Sequence, residues 1–69
     1  MIFRFRAQIK EAAMCLARVR GALASGDEDI ESGIHCYKLM MQIVNASGEP
    51  FFRVRNAIML EADRIKHAS

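Results

Sequence analysis

At 69 residues the chain is one domain at most. A core this small is marginal, and natural domains of this size often need a metal, disulfides or a partner subunit. Apolar residues make up 52% of the chain, slightly above the usual globular share, and the net charge of +2 is too small to imply nucleic acid by itself. No stretch approaches the roughly 18 apolar residues of a membrane span, and charges at Arg4, Arg6, Lys10 and Glu11 break up any apolar run at the start. These features predict a cytoplasmic protein with reduced thiols.

Strong helix formers dominate, no segment alternates at period two, and there is no internal repeat. Two breaks, "ASGDE" and "NASGEP", divide the chain. Gly26 and Gly48 suit the position just past a helix end, and the only proline, Pro50, suits the first turn of the next helix. The expected fold is therefore all-α, a small bundle of three helices near residues 2–24, 28–46 and 50–67, a long helix followed by a helical hairpin, in a single domain over 1–69.

The first helix carries Ile2, Phe5, Ile9, Ala12, Leu16, Val19 and Leu23, whose alternating steps of three and four make a coiled-coil-like seam. Phe3, Ala7, Met14, Ala17 and Gly21 form a second apolar stripe, interrupted by Lys10. A helix apolar on two sides is expected to be sandwiched, and its small residues allow close approach of another helix.

The stretch "SGDEDIES" concentrates four of the eight acidic residues. Ser25 and Glu28 stand in the S-x-x-E arrangement of a capping box, with Asp27 as a competing cap, and acids in a first turn face the positive end of the helix dipole. A calcium loop starting at Asp27 fails, because its sixth position is Ser32 rather than glycine and its twelfth is Lys38 rather than glutamate.

In the second helix Ile30, Ile34, Tyr37, Met41 and Val44 form one seam. Gly33, Cys36, Met40 and Ile43 form an adjacent one, with Leu39 beyond it. The polar side is a narrow strip of Glu28, Glu31, His35, Lys38, Gln42 and Asn45. An apolar arc of more than half the circumference is more than a small hairpin covers comfortably.

The third helix is expected to face Phe51, Val54, Ile58, Ala62 and Ile65 inward, with Arg53, Asn56, Asp63, Arg64 and His67 outward. Phe52 and Met59, seven residues apart on one flank, are contact candidates, whereas Leu60 alone on the polar face means little.

Chemistry has little to stand on. His35 and His67 lack a second ligand at i+4, and His35 pairs in spacing with Glu31 as an ordinary surface couple. Cys15 and Cys36 belong to no C-x-x-C pair and border apolar stripes, so they read as small core hydrophobes. No phosphate loop, dinucleotide fingerprint or nucleophile elbow occurs. No enzyme activity, cofactor or metal is expected.

Residues 12–46, with their helical hairpin and glycine-acid turn, resemble the small helical chaperones that hold type III secretion needle subunits. The third helix departs from the two-helix members of that group, and no residue role carries over.

The expected function is a protein–protein interaction module (adaptor, chaperone or inhibitor) that works as a homodimer or bound to a partner protein. Its contact residues are expected to be Phe3, Ala7, Met14, Ala17, Met40, Phe52 and Met59; methionines suit surfaces that adapt to a partner helix. The alternative is a small dimeric nucleic-acid-binding regulator, for which Arg53 and Asn56 near the start of the third helix have the right chemistry. Scattered acids such as Glu49, Glu61 and Asp63 weigh against it.

Overall fold

The computed structural model describes residues 2–68, and side-chain surroundings from Arg4 to Ala68. A short 3₁₀ turn, Ile2–Phe5, leads into three α-helices: α1 (Arg6–Ala24), α2 (Ile30–Ser47) and α3 (Phe51–Ala68). No strand is present among the described residues. The expected three-helix, all-α architecture is found, but the first α-helix begins at Arg6 rather than near residue 2, after the 3₁₀ turn.

The end of α1 is a Schellman motif. The Gly26 N–H donates to the Leu23 carbonyl at 3.0 Å and the Asp27 N–H to the Ala22 carbonyl at 2.8 Å. This geometry needs a left-handed residue, and Gly26 supplies it at φ 77°. Gly48 does the same after α2, at φ 73°, its N–H donating to the Val44 carbonyl.

The cap of α2 differs from the expectation. Asp29, rather than Ser25 or Asp27, is the N-cap residue, and its carboxylate accepts from the Ser32 N–H at 3.1 Å and from the Ser32 hydroxyl at 2.7 Å. The Schellman turn already commits residues 25–27 to closing α1, so the next acid in line takes the cap. The helix consequently begins two residues later than expected. Pro50 likewise sits just outside α3 rather than in its first turn; its carbonyl accepts from the N–H groups of Arg53 and Val54 at 3.0 and 3.3 Å.

Helix α1 is the centre of the fold. It packs extensively on both α2 and α3, which touch one another much less. Helix α1 is thus sandwiched within one chain, but not through the expected second stripe, whose Ala7, Met14 and Gly21 are exposed. The chain turns back along α1 in α2 and runs forward again in α3, so that Phe5 meets Ala46 across one groove while Arg20 reaches Asp63 across the other interface.

Among the described residues the core consists of Ile9, Ala12, Ala13, Cys15, Cys36, Leu39, Ile43, Val54, Ile58 and Ala62, with no aromatic residue. Five of these are alanine or cysteine, so the helix backbones approach closely and pack with small side chains. Both cysteines are unbridged and buried, as expected.

The inward faces depart from the sequence reading in two places, and in a third, α2, the structure makes a choice the sequence left open. Leu23, at the end of the first-helix seam, is 60% exposed. Phe51, expected inside, is 40% exposed. In α2 the seam of Ile30, Ile34 and Tyr37 points away from the core, which instead takes Ser32, Cys36, Leu39 and Ile43. The one buried polar side chain among these, Ser32, is satisfied by the Asp29 cap.

Candidate interaction surface

The surface is built from what the small-residue core leaves outside. Each α-helical residue turns the chain by about 100°, so positions 30, 34 and 37 fall on one line along α2. Ile30, Ile34 and Tyr37 are 66%, 53% and 56% exposed. Met41 and Val44 continue the line and are half-buried. Glu31 and Lys38 flank it on one side and are exposed, while Gly33 and Met40 flank it on the other. A Cβ built on Gly33 would meet nothing within 4 Å, so the surface above this glycine is open.

A second apolar region spans the flank of α3, where Phe52 and Leu60 are exposed and Met59 less so. Between α1 and α3 a groove of about 330 Å³ is lined by Ala17, Arg20, Gly21, Ala24, Ala62 and Ile65, together with Lys66. A smaller groove of about 240 Å³ lies between α1 and α2.

The residues expected to meet a partner do not gather at one place. Ala7 and Met14 are exposed on α1, and Ala17 lines the α1–α3 groove. Phe52 and Met59 are exposed on α3. Met40 is half-buried and packs against the core, so only part of it is available. Phe3 lies outside the residues whose side chains are described. The α2 line of Ile30, Ile34 and Tyr37 was not among them, although its unbroken four-three-four spacing marks it in the sequence. What the sequence lacked was the information that this line is the outer one.

Several arginines on the surface pair with carboxylates. Arg20 bridges to Asp63 at 2.9 Å across α1 and α3, Arg64 to Glu61 at 3.2 Å, and Arg53 to Glu49 at 3.4 Å. All three pairs are solvent-screened and contribute little to stability. The His67 Nδ1 donates to the Asp63 carbonyl at 2.7 Å, closing the last turn of α3. Burial pushes the Cys36 thiol up, and the neighbouring Cys15 adds to this. The Asp29 carboxyl is held below its ordinary range by the Ser32 hydroxyl first and by the Ser32 N–H second. Among the described residues no three His, Cys, Asp or Glu side chains are grouped to hold a metal ion, and no helix is long and apolar enough to cross a membrane.

No protein-family model, no curated protein and no solved structure matches this chain.

Proposed function

We propose that the chain is a helical protein–protein interaction module that acts as an oligomer or bound to a partner protein, with no catalytic step of its own. The observation that carries this reading is the α2 line of Ile30, Ile34 and Tyr37, three large apolar side chains more than half exposed on one helix face. Aligned apolar residues of this kind mark protein contacts, unlike scattered single ones.

Surface area supports the same reading. The chain exposes 5032 Å². A compact monomer of 7.8 kDa is expected to expose about 4,400 Å². The chain therefore carries surface that a lone globule of its size would have buried.

A nucleic-acid-binding regulator draws less support. Arg20, Arg53 and Arg64 are each paired with a carboxylate, which divides the positive charge rather than gathering it into a stripe. A photo-crosslinking side chain in place of Ile34, activated in cells, tests the proposal. Protein adducts, whether with a second copy or with another chain, are the expected result. Crosslinks to nucleic acid alone, or none at all, would overturn it.

A further inference from the structure

From that reading of the α2 face we infer its occupant: a second copy of this chain, bound through α2 in an antiparallel, two-fold symmetric pair. The steps of four, three and four through Ile30, Ile34, Tyr37 and Met41 are those of a coiled-coil seam. A seam on an isolated outer helix is completed by a helix of the same period, and α2 itself has that period.

The flanks decide between a copy and a stranger. Laid antiparallel about a two-fold axis beside the midpoint of His35 and Cys36, Ile34 comes level with Tyr37 of the partner subunit, and Ile30 with Met41 of the partner subunit. On one flank the exposed Glu31 then comes beside Lys38 of the partner subunit, and the symmetry makes this pair twice. On the other flank Gly33 comes beside the exposed part of Met40 of the partner subunit, and the open space above the glycine leaves room for that approach. Apolar, charged and steric features of one helix are thus complementary to themselves reversed. A parallel pair would instead turn this flank toward the Gly33 flank of the partner subunit, leaving Glu31 and Lys38 without an opposite charge.

The area is consistent in scale. The surface in excess of a compact monomer's is about 600 Å² per chain, near the roughly 800 Å² per partner of a standard interface. The dimer is expected to form in the micromolar range.

Sedimentation of the purified chain across a dilution series is the test, with helicity followed by circular dichroism. The expected result is a reversible dimer, turned into a folded monomer by Ile34→Glu. Glu31→Lys and Lys38→Glu should each weaken self-association by about tenfold, since each sets like charges opposite one another. Mixed in equimolar amounts, the two charge variants should form a heterodimer as tight as the wild-type dimer, because one chain then carries lysine at both positions and the other glutamate. A wild-type chain that stays monomeric throughout, or charge variants that fail to rescue each other while remaining folded, would overturn the proposal. If in-cell crosslinks at position 34 capture only other proteins, the interaction module survives and the self-pairing does not.

Discussion

The Cys36 thiol donates to the main-chain carbonyl of Ala12 at 3.6 Å, tying α2 to the fully buried centre of α1. The contact is possible because Ala12 and Cys36 are both small, and the helix axes close in over them. Replacing Cys36 with Ala should therefore keep the fold but cost about 1–2 kcal/mol in chemical denaturation. The thiol should alkylate slowly until denaturant is added. Because burial raises its folded pKa, the contribution is complete below the unfolded thiol's pKa of about 8.5 and is lost as pH rises through the folded value. A melting midpoint that falls in mild alkali in wild type, and less in Cys36→Ala, is the expected signature.

Asp29 should set an acid limit to stability. Its folded pKa is depressed by the Ser32 hydroxyl and N–H, so its contribution is present above the unfolded carboxyl's pKa and disappears as pH falls through the folded value. Asp29→Ala should lower the melting midpoint at neutral pH and narrow the difference from wild type in acid. Asp29→Asn, which can still accept the cap bond, should lie between them.

Ile58 is one of the two largest fully buried side chains. Truncation to Ala should cost about 2–5 kcal/mol. A core of this size contributes roughly 3–5 kcal/mol in all, so Ile58→Ala should abolish the cooperative melt. Leu60, two residues on and 66% exposed, is the control, and Leu60→Ala should be neutral within about 0.5 kcal/mol.

Met14 tests which apolar line of the molecule is used. It is 54% exposed on α1, in the second apolar stripe of that helix. With α2 as the contact helix, Met14→Glu should keep the wild-type mass in sedimentation and shift stability by no more than about 0.5 kcal/mol. Leu16→Glu, which puts a charge where a half-buried leucine packs against the core, should unfold the chain. Loss of mass in Met14→Glu would move the interface to α1.

The contact residues named from sequence were legible only as apolar positions. Met14, Phe52 and Met59 do lie outside, whereas Met40 packs against the core and Ala17 lines the groove to α3. Periodicity identifies faces of a helix but does not say which of two apolar faces its neighbour will cover.

The helix count and the C-terminal ends of α1 and α2 follow from the sequence itself, since they rest on short-range chemistry, whereas the cap that starts α2 does not. Gly26 and Gly48 take the left-handed conformation that closes α1 and α2, and Pro50 leaves its carbonyl to start α3. The unbridged, buried state of Cys15 and Cys36 follows from their place in apolar stripes. Only the tertiary structure decided the inside of α2. Both its seams are apolar and periodic, so the pattern alone does not say which of them faces inward. The choice fell to fit against α1: Ala12 and Ala13 present a shallow surface that admits Cys36, Leu39 and Ile43, while the bulk of Ile30, Ile34 and Tyr37 was left facing out.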